Sequence, residues 1–297
     1  MLRELEQRGT VSATAEALHL TPSAVSQQLA SLAKEAGVPL LEKHGRGVRL
    51  TGQARVLLSH AEIVHEQLER ARAALAAWDE GTVGEVRVGA LSTGITSLVA
   101  PAYARLATQR PGITLRVADS EPPQVFTALD LGDLDVVVSS DYQGGPARHD
   151  RRYHRVDLLS DPLDAVLPVG HPLADHAGIR LETLAGEPWV GSATGDPCSQ
   201  ILQGVCAAAG FSPDIVHRST EWGAVAALVA AGAGVALIPR LAQPLGVDGL
   251  VVCPVVGSPA ARRIFAAVRA GAQLDPVVST VLETLQHLAA ERGNTLA

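Results

Sequence analysis

The chain has 297 residues, 47% of them hydrophobic, enough to bury large apolar cores in one or two domains without disulfides or a structural metal. Its formal charge of -7, from 24 Lys and Arg against 31 Asp and Glu, excludes a cationic coat over the whole surface but leaves room for a local basic patch. Three cysteines, Cys198, Cys206 and Cys253, fit no metal-ligand spacing and leave an odd thiol, which argues against a disulfide-dense exported module. The opening MLRELEQRG lacks the apolar core of a signal peptide, and no uncharged apolar run of membrane-spanning length follows. A soluble, cytoplasmic protein is expected.

The charge is unevenly placed. Residues 1–60 carry seven Lys and Arg against five Asp and Glu, so the acidic excess lies in the remainder. Ala13 to Leu18 is short, alanine-rich and helical, with Ser12 as its expected cap. Pro22 stands at a first helical position, and from there to Ala36 the residues Val25, Leu29, Leu32, Ala33 and Ala36 form one apolar stripe that Gly37 ends. The opposite face offers Ser23, Ser26, Gln27 and Ala30. Two short helices around a three-residue turn, with small polar groups near the second N-terminus, predict a helix-turn-helix whose side chains can read base edges or bind phosphates. The spacing alone also fits an ordinary helical hairpin. Leu40, Leu41, the basic loop Lys43 to Gly47 and the alternating Val48, Arg49 and Leu50 then predict a wing, placing Arg46 and Arg49 within reach of phosphates or the minor groove.

Thr51 caps a proline-free helix predicted over 53–79. Ala54, Leu57, Ala61, Val64, Leu68, Ala71, Leu75 and Trp78 recur at steps of three and four, a heptad seam that calls for a partner helix and therefore for paired heads. Beyond Gly81 and Gly84, eight short apolar strands alternate with five helices, the organisation of an open α/β module that binds ligands at strand ends. Three strand ends carry hydroxyls: Ser92, Thr93 and Thr96; Ser139 and Ser140; Ser192 and Thr194. With helix N-termini beside them they predict a site for a small polar effector, anionic by preference. No nucleophile elbow, phosphate loop or HExxH element is present, and no catalytic residue, cofactor or metal is expected. Asp130, Asp133 and Asp135 read as a solvated turn, and the histidines as scattered surface groups. Cys206 reads as a small core residue, while Cys198, at the lip of the expected pocket, is a redox-sensor candidate.

Residues 9–55 resemble the winged helix-turn-helix of LysR-type bacterial transcriptional regulators, through Ala15, Leu18, Thr21, Ser23, Ala24, Val25 and Ser26 and then Gly37, Leu40, Leu41, Leu50, Thr51 and Gly52. GHPLA at 170–174 and AGAGVALIPR at 231–240 resemble that family's effector-domain signatures. The resemblance implies an α/β protein: a winged helix-turn-helix domain at 1–52, a linker dimerisation helix at 53–82, and a two-lobed periplasmic-binding-protein-like effector domain at 83–297. Lobe one would comprise 86–160 plus 264–297, and lobe two 161–263. It further implies binding of double-stranded promoter DNA through Thr21, Pro22, Ser23, Ser26, Gln27, Lys43, Arg46 and Arg49, self-association as a dimer or tetramer, and contact with RNA polymerase. The implied effector pocket is lined by Ser92, Thr93, Ser139, Ser140, Ser192, Thr194 and Trp222. Three departures stand out: Pro22 where the family often has Gln, Thr14 where it often has Ala, and a late start that leaves Met1 to Arg8 as a shortened first helix or marks a start codon assigned downstream. A two-lobed solute-binding protein or a small-molecule enzyme is the alternative reading.

Overall fold

Three threonines start three of the first four helices by lending a hydroxyl oxygen to an otherwise unpaired backbone N–H. Thr10 accepts from Ala13 (3.2 Å), Thr21 from Ala24 (3.2 Å) and Thr51 from Ala54 (3.1 Å). The cap of the second helix is thus Thr10, and Ser12 lies inside it. The computed structural model describes residues 1–44, 47–78, 83–193, 196–243, 247–257 and 261–296. Its head comprises α1 (Leu2–Arg8), α2 (Val11–Ala17), α3 (Pro22–Ala36) and an antiparallel hairpin, β1 (Leu41–His44) and β2 (Gly47–Leu50). Gly37 ends α3 in the left-handed region at φ 69°, which a side chain would disfavour. Leu2, Leu5, Val25, Leu29, Leu40 and Leu50 form the head core, and Ala54 and Leu58 of the linker helix α4 (Gly52–Trp78) complete it. Ala54 therefore belongs to the head and not to the seam.

The remainder is α/β. In chain order it runs β3 (Gly84–Ala90), α5 (Ser92–Gly94), a π-helical turn (Ile95–Val99), α6 (Ala100–Gln109), β4 (Ile113–Asp119), α7 (Gln124–Leu131), β5 (Val136–Ser140) and β6 (Tyr153–Pro168). Then follow β7 (Pro188–Gly191), α8 (Pro197–Ala208), β8 (Asp214–Arg218), α9 (Trp222–Ala230), β9 (Ala236–Pro239), β10 (Leu250–Cys253), β11 (Ala261–Arg269) and α10 (Pro276–Leu296). β3 lies parallel to both β4 and β5, and β11 runs antiparallel to β5 and β6. β6 pairs with β11 from Tyr153 to Pro162, then continues from Leu163 to pair with β9 and β10. One strand therefore serves two lobes. Strand alternation gives each lobe a core on either sheet face: Val136, Val138 and Ile264 pack with α6 and α10, while Val137, Phe265 and Ala267 pack with α7. In the second lobe Leu163, Ala165 and Leu167 meet α8, while Val166, Ala236 and Ile238 meet α9.

One face of α4 is fixed to the first lobe. Glu69 Oε1 lies 3.1 Å from Arg269 Nε, both side chains are only 6% exposed, and Arg269 also donates to the Leu129 and Leu134 carbonyls. Gly271 allows the close approach, since a Cβ there would stand 2.7 Å from the Glu66 carbonyl oxygen.

Candidate functional site

The head leaves one edge of α3 in solvent. Thr21, Pro22, Ser23, Ser26 and Gln27 are all exposed, whereas Val25 and Leu29 point into the core. Gln28 is exposed as well and extends the polar edge. On the wing Lys43 and Arg49 are exposed, and Arg49 Nε lies 2.6 Å from Oε1 of its cross-strand partner Glu42. Exposed pairs of this kind are worth at most about 1 kcal/mol, so a phosphate can take Arg49 from Glu42. Arg46 lies outside the described residues.

α4 carries the predicted apolar seam on the face turned away from the first lobe. Ala61, Val64, Leu68, Ala71 and Leu75 are exposed, Leu68 by 58% and Leu75 by 74%, while Leu57 is half-buried against the head. The side chain of Trp78 lies outside the described ones.

Between the lobes Ser92, Thr93, Ser140, Ser192 and Trp222 converge on a cavity of about 30 Å³. That volume holds a water or two. It opens beside a groove of about 480 Å³ that shares Ser92, Thr93 and Trp222 and adds Thr96, Ser97, Gln243 and Arg292. Ser139 does not join them: it shares the strand face of Val137, away from Val136, Val138 and Ser140, and its hydroxyl reaches only the Ser140 carbonyl at 3.5 Å. Thr194 lies outside the described residues.

The sequence reading missed the group that ties this cavity together. Arg262 donates to Asp161 (2.7 Å) and to the Thr93 hydroxyl (2.7 Å), and approaches Cys198 Sγ at 3.8 Å. Asp161 also accepts from the Leu241 N–H at 3.0 Å. One buried guanidinium thus joins the turn after β3 to α8 of the other lobe, at the point where β6 passes from one lobe to the other. The signal was present, because Arg262 is in period-two phase with buried Ile264 and a charge in that phase must find an internal partner. Glu121 and Asp196 add two carboxylates to the lining. Burial, with Asp196 nearby, raises the Glu121 carboxyl above its ordinary range.

The acidic turn is not merely solvated. Asp130 accepts from the Tyr153 hydroxyl (2.8 Å) and pairs with Arg152 (3.4 Å) and with Arg3 of the head (3.5 Å). Asp135 takes a two-pronged contact from Arg87 at 2.8 and 2.9 Å, which holds its carboxyl below the usual range against the opposing effect of burial. Only Asp133 is exposed. No cluster of potential metal ligands occurs among the described residues, and no helix among them is long and apolar enough to cross a membrane.

A winged head on a long helix, joined to a two-lobed module with a polar cleft, defines a DNA-binding regulator that answers to a small molecule. Residues 1–55 match the bacterial regulatory helix-turn-helix protein, lysR family, and residues 79–290 match the LysR substrate binding domain. The chain belongs to the LysR family of bacterial transcriptional regulators. It is 29% identical over 238 residues to a probable hydrogen peroxide-inducible genes activator of Mycobacterium avium, spanning 79% of this chain and 74% of that one. It is 26% identical over 262 residues to the DNA-binding transcriptional dual regulator OxyR of Escherichia coli, spanning 88% and 84%. The fold is shared with full-length CbnR in complex with its target DNA, at a TM-score of 0.60 and 21% identity over 97% of this chain and 99% of that one. A full-length OxyR variant of Pseudomonas aeruginosa gives 0.64 and 21% over 96% and 92%.

Proposed function

We propose that the protein acts in the cytoplasm as a dimer on promoter DNA, laying the N-terminal edge of α3 in the major groove and the wing against the flanking backbone, with a small polar effector between the lobes setting the geometry of the paired heads. The observation that carries this reading is the exposed run Thr21, Pro22, Ser23, Ser26 and Gln27 beside Lys43 and Arg49, on a head whose apolar side chains face inward. The apolar face of α4 supports pairing with a second copy. The unpaired sheet edge β4, with Val117 exposed and Tyr103 exposed on α6, supports assembly of dimers into a tetramer. For the effector, Glu121 and Asp196 line the cleft and Arg262 is already matched by Asp161, so its charges favour an uncharged hydrogen-bonding molecule over an anion.

Fluorescence anisotropy on promoter DNA tests the head assignment. Arg49→Ala is expected to weaken all sequences alike and to lower the slope of log affinity against log salt by about one, while Gln27→Ala reorders sequences by about 1–3 kcal/mol at one position. Unchanged affinity and ranking in both variants would remove α3 and the wing from the interface.

Peroxide sensing is the second reading. It draws on the names of the relatives and on a thiol, Cys198, lining a cavity of about 30 Å³. The chemistry of the reduced form opposes it: burial pushes the Cys198 thiol up to about 11, more than the nearby Arg262 offsets. Cys206 stands eight positions further along the same helix, a rise of about 12 Å, beyond disulfide reach while α8 stays wound. Alkylation of Cys198 by iodoacetamide, followed by mass spectrometry, is expected to be about a hundredfold slower at pH 7 than for a thiol at the ordinary value of 9.0, and to rise about tenfold per pH unit to pH 9. A rate that levels off below pH 8 would restore the sensor reading.

A further inference from the structure

Six residues in the whole chain are Phe or Tyr, and four of them gather in one place. Phe126 lies 5.5 Å from Tyr153, 6.3 Å from Tyr142 and 6.2 Å from Phe265 between ring centroids. Three of these rings line a cavity of about 340 Å³ that shares no lining residue with the cleft between the lobes. That volume, between the interlobe cavity of about 30 Å³ and the groove of about 480 Å³ beside it, is in the range of small-molecule sites. Its far wall is not part of the effector domain: Gln7 and Arg8, at the end of α1 in the DNA-binding head, close it.

The polar groups around the rings are mostly donors. Arg8 pairs with Glu4 through Nε (2.9 Å) and donates to the Thr127 hydroxyl through Nη2 (3.3 Å); its Nη1 has no partner among the described residues. Arg152 is held by Asp150, and Gln7, with its amide oriented oxygen-first toward Arg152, accepts from it at 2.6 Å. The Tyr142 hydroxyl makes no hydrogen bond within the described residues, and both guanidinium groups are close enough to act on its titration. The lining therefore holds two cations, one carboxylate and one uncommitted phenol around aromatic walls. A flat ring would stack there, and an anionic group at its edge would meet Arg8 and Tyr142.

We propose that this cavity is a second ligand site, for a small aromatic carboxylate, and that its occupant bridges the DNA-binding head to the first lobe. Such a ligand binds only while α1 is docked, so it shifts the head toward the docked position by its own affinity for that state. Apart from α4, which joins the head core at Ala54 and Leu58 and the first lobe at Glu69, the described contacts between α1 and the first lobe are Arg3 to Asp130 at 3.5 Å, Arg8 to Thr127 and Gln7 to Arg152, so a ligand seated between them adds to a small set of side-chain contacts.

Isothermal titration of the full chain with benzoate, to about 10 mM for so small a probe, is expected to show one saturable site per protomer. Benzamide, without the charge, should bind about tenfold more weakly, Arg8→Gln should cost about tenfold or more, and Tyr142→Phe, which keeps the ring, a few-fold. Ser192→Ala, in the other cleft, should leave the titration unchanged. Hydrogen exchange should slow in the peptide covering α1 when benzoate is present, and not in Arg8→Gln. No saturation by folded protein, or binding indifferent to both Arg8→Gln and Tyr142→Phe, overturns the site; binding without added protection of α1 overturns the bridge.

Discussion

Replacing Leu68 by glutamate is expected to halve the sedimenting mass at micromolar protein while leaving the protomer folded. The two halves of that expectation rest on the two faces of α4. The face that the protomer uses carries Glu69 and Ala73, both buried against the first lobe. The opposite face carries Val64, Leu68 and Leu75, exposed by 59%, 58% and 74%, and no described residue of the same chain covers them. Burying a leucine contributes about 1.5–3 kcal/mol, and a two-fold seam counts each substitution twice. Losing about 3–6 kcal/mol weakens dimerisation about a hundredfold to ten-thousandfold, before the cost of burying two carboxylates is added. Operator binding should fall with it, because two heads on one site depend on the pairing. Analytical ultracentrifugation decides the matter: an unchanged mass for both Leu68→Glu and Leu75→Glu would show that the copies join elsewhere.

Glu69→Ala is expected to lower stability by about 3–5 kcal/mol, the usual cost of removing one partner from a buried ion pair. Glu69 and Arg269 are each 5% exposed, and with Glu69 gone the guanidinium keeps only carbonyl oxygens and the more distant Asp135, at 3.5 Å. Replacing both, as Glu69→Leu with Arg269→Met, should recover most of the loss, since the penalty belongs to the stranded charge and not to the absence of a bridge. Urea unfolding of the two variants beside the parent protein measures this. A loss under about 1 kcal/mol for Glu69→Ala would mean that water reaches the pair and that α4 is held to the lobe by packing alone. The same variants bear on signalling, because this contact is where the linker helix meets the effector domain.

The elements that depend on near neighbours were legible in the sequence. The two head helices, the wing, the long linker and the eight apolar strands follow from periodicity and from glycine and proline punctuation, and Thr51 capped where a cap was expected. Two strands were not legible. β8 is nearly all exposed, and the first half of β6 reads YHRVDLLSDP, too polar and irregular for an alternating pattern; each is a strand because a neighbouring backbone pairs with it. The candidate site divides in the same way. That Ser139 and Ser140 face opposite ways follows from a period of two, but which of them meets the cleft depended on where α6, α7 and the second lobe pack.

Charge was the least legible property. Asp130 and Asp135 looked like a solvated turn because their partners, Arg3, Arg87, Arg152 and Arg269, are scattered along the chain from the first helix to the last strand. Arg262 gave away its burial by its phase but not its partners, Asp161 and Thr93, which are 101 and 169 residues distant. The sequence by itself determined the class of protein, the exposed polar edge of α3 and the apolar face of α4, since each is written in residues within a few turns of one another. The tertiary structure alone decided the closure of the cleft, the docking of the head on the first lobe and the aromatic cavity between them. Backbone torsions and side-chain periodicity act over a few residues, whereas an ion pair or a cavity wall exists only once folding has brought distant segments within a few ångströms.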